Sequence, residues 1–290
     1  MGIRSIKDYK KATSIEEALQ LINEDNYKIL AGGTDLIPEL KKITNIENEN
    51  SISILDIKGI RQLSGVKILK DKIKLGPLAT IENLKSLKIF ANHKYFAIRE
   101  ACNNFASWQI RNRATVGGNI CTANPAADIV SALLALGSSV IISRIDEMRE
   151  LPLDKFFLEE VKIHSNELLT EINIPISPRY SGSAFLKRGK RKAVSTSVLN
   201  MSIYLSFERK SIIKDIRISV GGAAPIPLRL YKAEKYLMNK NISSQTIEEA
   251  GLIAISEIRP RSKYEYKQQL CKIFLKRGIY EIQQNISREL

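Results

Sequence analysis

The sequence predicts an α+β fold, and three observations favour this class. The first 60 residues carry the signals of strand, helix, strand and loop, in that order. In the last third of the chain, strand-like segments precede helical ones, which is typical of an α+β domain. Two Gly-Gly loops, at residues 31–35 and 115–119, each follow a short segment of apolar character. At 290 residues, the chain is long enough for two domains with separate cores.

The elements of the first 60 residues follow from local signals. Ser14 and Glu17 form a capping box, and apolar residues follow them at helical spacing, which predicts a helix. Residues 28–31 form a short predicted strand that leads into the first Gly-Gly loop, and residues 52–57 form another.

Residues 61–176 begin with a predicted hairpin and continue with helices and two further strands. Gly137 and Pro175 are typical stop signals within this region. The predicted strands are 66–69, 73–75, 138–143 and 168–174. One predicted helix starts at Thr80, a second extends from about 95 to about 106, and a third spans 129–136.

Residues 176–183 are the predicted linker, because Pro, Ser and Gly dominate them. Beyond the linker, the predicted strands are 194–207 and 212–220. Two predicted helices start near 230 and near 246, and a third spans 265–275. The expected domains are 1–176, with lobes at about 1–60 and 61–176, and 184–290.

Composition is that of an ordinary globular protein, with 44% hydrophobic and 26% charged residues. No apolar run approaches the length of a membrane span, and Met1–Ser5 leads directly into polar sequence without a secretory signal. We therefore expect a cytoplasmic protein without a membrane partner.

The net charge of +14 raises nucleic acid as a partner. However, lysines are spread along the chain, and the one dense basic cluster, Lys187–Lys192, has no nucleic-acid-reading motif beside it. An acidic protein partner or a phosphate-bearing cofactor explains the charge as well, and we expect no nucleic acid.

Cysteine and histidine usage argues against metal chemistry. Cys102, Cys121 and Cys271 are far apart, and no CxxC or HExxH motif occurs, so the chain lacks a ligand set for zinc or an iron–sulfur cluster. We interpret the three cysteines as small, partly buried apolar residues.

The two Gly-Gly loops predict a dinucleotide site. Their glycines are 85 positions apart, so the two loops can hold a pyrophosphate from both sides, with successive N–H groups forming an anion site. Each loop alone is equally consistent with an ordinary turn. No G-x-G-x-x-G or Walker motif occurs, so the Rossmann and P-loop modes are absent.

Together, these motifs resemble a known family. Ala31–Leu36 and Gln109–Ile120 look like the two FAD-binding signatures of the medium, FAD-carrying subunits of molybdenum hydroxylases, such as xanthine, carbon monoxide and nicotinate dehydrogenases. The resemblance extends in order to segments 124–128, 167–169, 185–187, 191–193 and 221–225. The insertion with cluster cysteines found in the 4-hydroxybenzoyl-CoA reductase flavoprotein is absent here.

The resemblance implies a two-lobed FAD-binding domain of the vanillyl-alcohol oxidase and para-cresol methylhydroxylase type, followed by a smaller α+β domain. It implies that the pyrophosphate accepts from the amides of Gly32, Gly33 and Thr34, and that Leu169 and Lys187 lie near the flavin ring. The implied FAD-binding residues are Ile29, Leu30, Ala31, Gly32, Gly33, Thr34, Asp35, Leu36, Phe105, Thr115, Val116, Gly117, Gly118, Asn119, Asp128, Leu169 and Lys187.

Three of these residues have plain structural interpretations when the motifs are ignored. Asp128 is a good N-cap for the helix that starts there, and Phe105 alone is a typical core residue. Lys187, within its basic cluster, is equally typical of a solvated surface.

The implied function is electron transfer through non-covalent FAD, with no proton-transferring catalytic residue and no metal on this chain. The resemblance places the molybdenum cofactor on a large partner subunit and two-iron clusters on a small one, with NAD as one possible electron acceptor. The Lys187–Lys192 cluster is the candidate partner contact. The hydroxylated substrate is expected to bind another subunit.

Two alternatives remain at this point. UDP-N-acetylenolpyruvoylglucosamine reductase also binds FAD through glycine loops, although residues 185–193 do not resemble that enzyme. A basic nucleic-acid-binding protein would instead be colourless and would bind in a strongly salt-dependent manner.

Overall fold

The computed structural model describes residues 6–42, 52–158, 163–191, 196–208 and 212–288. The strands are β1 (Ile6–Lys11), β2 (Tyr27–Leu30), β3 (Ile52–Asp56), β4 (Val66–Ile68), β5 (Lys72–Leu75), β6 (Ser139–Arg144), β7 (Glu147–Pro152), β8 (Leu168–Pro175), β9 (Ser181–Gly189), β10 (Ser197–Glu208), β11 (Ile212–Gly221) and β12 (Leu228–Arg229). The α-helices are α1 (Ile15–Glu24), α2 (Leu36–Lys42), α3 (Ile81–Ser86), α4 (Phe96–Asn103), α5 (Trp108–Arg111), α6 (Val116–Thr122), α7 (Asp128–Ala135), α8 (Leu153–Leu158), α9 (Tyr231–Leu237), α10 (Ser244–Glu257) and α11 (Tyr264–Ser287).

The first sheet is small and parallel, with strand order β1-β3-β2. Helix α1 packs against it because Ala18, Leu19 and Ile22 share one buried face. Ser14 caps this helix by accepting from the Glu17 N–H at 3.1 Å, as the sequence predicts. Strand β2 of this sheet ends directly before the first Gly-Gly loop.

The second sheet has strand order β4-β5-β8-β6-β7 and is antiparallel throughout. Helix α7 is mostly apolar and is buried over its whole length, and its apolar residues belong to the largest hydrophobic core. The helix ends before Gly137, whose φ of +69° terminates it, as the sequence predicts.

The third sheet has strand order β12-β11-β10-β9 and belongs to the C-terminal part of the chain. Strand β10 is buried along nearly its whole length because α11 covers one face and α7 contributes contacts from the N-terminal part. The two parts of the chain therefore pack directly against each other through α7 and β10.

Several elements escaped the sequence interpretation, including α6 and β12 as well as the following. Helix α2, which the sequence analysis did not predict, has Pro38 near its start, where proline is tolerated. Strand β9 is rich in Ser and Gly at its start and was assigned partly to the linker. Strand β7 and helix α8 are short, and β7 is largely polar because it lies at a sheet edge.

Two predicted helix ends differ from the structure. The helix predicted to extend to about 106 ends at Asn103, and Trp108 begins a separate helix capped by Ser107. The last helix extends to Ser287 rather than 275, because Ile279, Ile282 and Ile286 continue its buried face.

Some predictions lie outside the described residues. These are the segment Met1–Ser5, Lys192 of the basic cluster, Ala193 of the resembling segment 191–193, and Val194 at the start of the predicted strand 194–207. Among the residues that the structure describes, no helix combines the length and apolarity needed to cross a membrane.

Candidate functional site

The first Gly-Gly loop joins the end of β2 to α2 and depends on both glycines. Gly33 has a φ of +74°, in the left-handed region that glycine tolerates best. Gly32 has no room for a side chain, because a Cβ there would lie 2.0 Å from the Arg113 carbonyl oxygen. The first loop therefore contacts the segment that leads into the second loop.

The amides of this first loop are free to bind a ligand. Within the described ranges, the backbone N–H groups of Gly32, Gly33 and Thr34 donate to no atom of the protein. The Gly33 carbonyl accepts from the Ile37 N–H at 3.2 Å, which anchors the loop to α2. Successive unpaired N–H groups in a turn form an anion site without a charged side chain.

The second loop is organised differently, because the protein itself accepts hydrogen bonds from the amides of residues 116–119. Thr115 is the N-cap and its Oγ1 accepts from the Gly118 N–H at 3.1 Å. The N–H groups of Val116 and Gly117 donate to carbonyls of segment 77–79. Gly117 also packs so closely on Pro77 that a Cβ would lie 2.5 Å from the proline Cβ. The second loop therefore offers side chains and a close-packed backbone rather than a row of free amides.

Asn119 supplies an unsatisfied acceptor beside this loop. Its Oδ1 is buried and has no hydrogen-bond partner. Buried polar atoms are nearly always paired, so this unpaired oxygen, on a residue that lines the second cavity, marks an incomplete polar environment there.

Two cavities meet between the loops. The first has a volume of about 470 Å³ and the second about 330 Å³, and both lie in the size range of cofactor pockets. Ile29, Ala31, Gly118 and Cys121 line both, so the cavities are neighbours joined at the glycine loops. The first cavity is also lined by Tyr27, Ile57, Pro77, Leu78, Gly117, segment 163–165 and Glu167–Leu169. The second cavity is also lined by Gly32–Leu36, Phe105, Ala114, Thr115, Asn119 and Thr122.

The structure thus brings together most of the residues that the resemblance implied. Leu30 and Val116 are buried beneath the loops and line neither cavity. Leu169 lines the first cavity, whereas Lys187 lines neither of these two cavities.

Asp128 and Lys187 instead form a buried ion pair between the N-terminal and C-terminal parts of the chain. The Lys187 Nζ lies 2.6 Å from Asp128 Oδ2, and both side chains are less than one-tenth exposed. Burial raises the pKa of Asp128, and the hydrogen bonds and charge of its neighbours oppose that shift. Ser197 and Asn200 complete the site by donating to Asp128 Oδ1 at 2.6 and 2.8 Å. Asp128 is the first residue of α7 and follows the N-cap Ala127, so it is not the cap.

The Lys187–Lys192 cluster is not a uniform solvated surface. Lys187 is buried in its ion pair, and the Arg188 Nε donates to the Tyr266 hydroxyl at 3.1 Å. Lys190 and Arg191 are exposed.

Glu167 is a cavity residue to which the sequence interpretation assigned no role. It accepts from the Arg149 guanidinium at 3.1 and 3.0 Å and from the His164 N–H at 2.9 Å. Burial opposes ionisation, but these hydrogen bonds hold the pKa of Glu167 below its usual value. Only its place next to Leu168 and Leu169 in the family motif could have pointed to it.

Cys121 differs from its expected environment. Burial raises the pKa of all three thiols to about 12, but Cys102 and Cys271 are buried residues, whereas Cys121 is exposed by residue area and lines both cavities. No local sequence signal distinguishes Cys121 from the other two, because its exposure arises from how the second loop faces the first.

Free amides in a tight turn, an unpaired buried amide oxygen and two joined cavities define a dinucleotide-binding protein. The sequence model described as "FAD binding domain in molybdopterin dehydrogenase" matches residues 4–177, and the chain belongs to this family of FAD-dependent oxidoreductase subunits. Residues 184–282 match the "CO dehydrogenase flavoprotein C-terminal domain". The family match favours the FAD-binding subunit of a molybdenum hydroxylase over the two alternatives, the reductase and a nucleic-acid-binding protein.

Individual relatives agree with the family. The chain is 28% identical over 282 residues to the putative xanthine dehydrogenase FAD-binding subunit of Escherichia coli, covering 94% of each chain. It is 30% identical to the caffeine dehydrogenase subunit beta of a Pseudomonas species, covering 82% of this chain and 80% of the relative. Among solved structures, a carbon monoxide dehydrogenase chain of Hydrogenophaga pseudoflava superimposes with a TM-score of 0.89 at 25% identity, covering 97% of this chain and 98% of the other.

Proposed function

We propose that this chain is the electron-transfer subunit of a molybdenum hydroxylase, and that it holds one non-covalent FAD across the two joined cavities. The observation that supports this most is the row of free amides at Gly32, Gly33 and Thr34, which lines the second cavity directly after Ala31, a residue that lines both cavities. A pyrophosphate bound there directs one half of the dinucleotide into each cavity.

The two cavities suit the two halves of FAD differently. The first is mainly apolar, with Tyr27, Ile57 and Leu78 in its wall, and we assign it to the adenosine half. The second contains Phe105 and the unpaired Asn119 Oδ1, which suit a flavin ring with polar edges. Leu169 then contacts the adenosine half rather than the ring.

We propose the division into domains 1–176 and 184–290, with two lobes of the vanillyl-alcohol oxidase and para-cresol methylhydroxylase type. The support is that the first and second sheets both contribute lining residues to the first cavity, through β2 and β8. The two family matches end and begin at 177 and 184, near the same boundary.

The chain's own residues bind and orient the cofactor. FAD, when bound, supplies two-electron chemistry that connects a one-electron donor to a hydride or electron acceptor. Gly32, Gly33 and Thr34 would hold its phosphates, and Phe105 would limit access of water to one side of the second cavity. None of these roles requires a proton-transferring side chain.

Partners follow from the relatives. Those relatives are named as subunits or medium chains, including the carbon monoxide dehydrogenase medium chain of Hydrogenophaga pseudoflava. We propose a large molybdenum-cofactor subunit and a small subunit with two-iron clusters as partners, and NAD or another acceptor as the electron outlet. The named relatives act on purines, nicotinate, carbon monoxide and an aldehyde at similar identity, so the hydroxylated substrate belongs to the large subunit.

Affinity isolation of this chain from its native extract, followed by mass spectrometry, tests the subunit assignment. We expect a molybdenum-containing and an iron–sulfur partner to co-purify with a yellow chain. A flavin-loaded chain that elutes alone contradicts the subunit role but leaves the FAD site intact.

Addition of NADH to the isolated complex without oxygen tests the acceptor. If NAD is the outlet, NADH bleaches the visible flavin band, because the same site runs in reverse. Retention of the band, together with bleaching by substrate of the large subunit, assigns the outlet to another acceptor.

A further inference from the structure

We propose that this chain binds a small organic phosphate in a cavity between its linker and the hairpin of β10 and β11. This basic cavity has a volume of about 460 Å³, which is within the range of ligand pockets. It is lined by Leu136, segment 175–180, Tyr204, Ser206, Phe207, Lys214, Asp215 and Arg217. None of these residues lines the first or the second cavity, so a ligand bound here is separate from FAD.

The charge of the basic cavity indicates the charge of its ligand. Arg179 comes from the linker, and Lys214 and Arg217 come from β11. Among the described residues that line the cavity, Asp215 is the one carboxylate, so three cations against one anion give the lining a net charge of +2. A phosphate monoester carries close to two negative charges at neutral pH and neutralises this lining, whereas a single carboxylate neutralises half of it.

The Arg217 guanidinium is held in place before any ligand binds. It lies over the Tyr204 ring, 4.2 Å from the ring centroid, and its Nη2 lies 3.0 Å from Asp215 Oδ2. Gly137 leaves the space that the guanidinium fills, because a Cβ at Gly137 would lie 2.2 Å from Arg217 Nη1. A cation fixed in this way loses little conformational freedom when an anion binds.

Arg217 also has an unused donor. Its Nε is buried and has no hydrogen-bond partner, although buried polar atoms are nearly always paired. The guanidinium presents its N–H groups as a planar fork that matches the oxygens of a phosphate group. A phosphate oxygen is therefore a suitable acceptor for this residue of the cavity lining.

Lys214 and Arg179 supply the remaining positive charge. Both are exposed, and within the described ranges neither forms an ion pair with a carboxylate. They belong to two different parts of the chain, since Arg179 is in the linker and Lys214 is in β11. A phosphate group that contacts both would connect the linker to the hairpin.

The apolar part of the lining indicates that the phosphate carries an organic group. Leu136, Ile176 and Phe207 line the same cavity as the three cations. A water molecule occupies about 30 Å³ of liquid, so a cavity of about 460 Å³ holds much more than an inorganic phosphate ion. The ligand class that fits both the charge and the volume is a phosphate monoester with an apolar or ring-shaped body.

Isothermal titration calorimetry on the full, FAD-loaded chain tests the site, with phenyl phosphate as the probe at about pH 8, where a phosphate monoester is doubly charged. The buffer contains no phosphate, and the ionic strength is constant. We expect one phenyl phosphate per chain, an affinity for inorganic phosphate at least tenfold weaker, and no binding of phenol.

Three results of this titration overturn the proposal. The first is the absence of saturable phenyl phosphate binding. The second is an equal affinity for inorganic phosphate, which contradicts a role for the apolar lining. The third is release of flavin during the titration, which assigns the probe to the FAD site.

Two substitutions locate the bound probe. Lys214→Met removes an exposed side chain and is expected to weaken phenyl phosphate binding about tenfold, as is Arg217→Met. Lys67→Met, at an exposed lysine of β4 outside the cavity, is the matched control and is expected to leave the affinity unchanged. Undiminished affinity in both cavity variants, or an equal loss in the control, overturns the proposal.

Arg217→Lys separates the guanidinium fork from its charge. It keeps the positive charge and is expected to recover only part of the affinity lost in Arg217→Met. Circular dichroism establishes that each variant is folded. A chain that binds no FAD contradicts the proposed function, and the same titration of that chain still tests the basic cavity.

Discussion

At the scale of single residues, the two glycines of the first loop serve different needs. Gly33 supplies a positive φ, whereas Gly32 allows the Arg113 carbonyl to approach the loop. The sequence indicated both positions, because paired glycines are typical of such loops. It did not indicate that Gly118 has an ordinary helical conformation within α6.

Replacement of Gly33 by valine is expected to weaken FAD binding at least tenfold. A β-branched residue at a φ of +74° costs about 1–3 kcal/mol and displaces the free amides. Flavin content after purification and fluorescence titration measure the effect. Gly65→Val is the control, because a Cβ there meets nothing within 4 Å, and it is expected to retain full FAD content.

Gly118→Val is expected to lower FAD content for another reason. A Cβ at Gly118 lies 2.9 Å from the Thr115 Oγ1, so valine disturbs the cap of α6 and narrows both cavities. Full FAD content in both valine variants would contradict the role of the loops.

Glu167 gives a pH-dependent contribution to stability. Its pKa is lowered from 4.5 in the folded chain, so its hydrogen bonds stabilise the fold fully above that value and progressively less as pH falls through the lowered pKa. Glu167→Gln is expected to cost about 1 kcal/mol at neutral pH. Urea unfolding across the acid range is the measurement, and an equal cost at neutral and strongly acid pH contradicts this explanation.

At the scale of elements, periodic segments were predictable and irregular ones were not. The hairpin of β4 and β5, the helix α7 and the strand β8 followed from alternation, apolar runs and stop residues. The turn at residues 104–106 was missed because side chains hydrogen-bond its carbonyls, Lys187 from the C-terminal part of the chain and Arg111 from five or six residues further on. Sequence periodicity carries no signal for such contacts.

The C-terminal end of α6 offers a stabilising substitution. Ala123 follows this helix with a φ of +48°, a conformation that glycine adopts without a steric cost. Ala123→Gly is expected to raise the free energy of unfolding by about 0.5 kcal/mol, after allowance for the greater chain entropy of glycine.

Denaturant unfolding measures this change. Ala250→Gly, within α10, is the matched control and is expected to destabilise the chain by about 1 kcal/mol. Destabilisation by the Ala123 substitution contradicts the conformational argument.

At the scale of the whole molecule, the cofactor site and the C-terminal part are coupled. The Asp128–Lys187 pair and the contact between the Gly222 N–H and the Pro125 carbonyl, at 2.6 Å, both cross from one part to the other. The motif order in the sequence predicted the family and the order of the parts. It could not predict this coupling, because residues 128 and 187 meet only through packing of α7 on β10.

Acid precipitation of the purified chain tests the central claim most directly. Neither loop 31–35 nor loop 115–119 contains a histidine or cysteine, and burial raises the pKa of the nearest thiol, Cys121, to about 12, so the cofactor is expected to be held by hydrogen bonds and packing alone. We predict that the supernatant contains FAD at one molecule per chain, identified by chromatography and fluorescence. Flavin that remains with the pellet, a flavin other than FAD, or a chain that carries none after reconstitution would contradict the account.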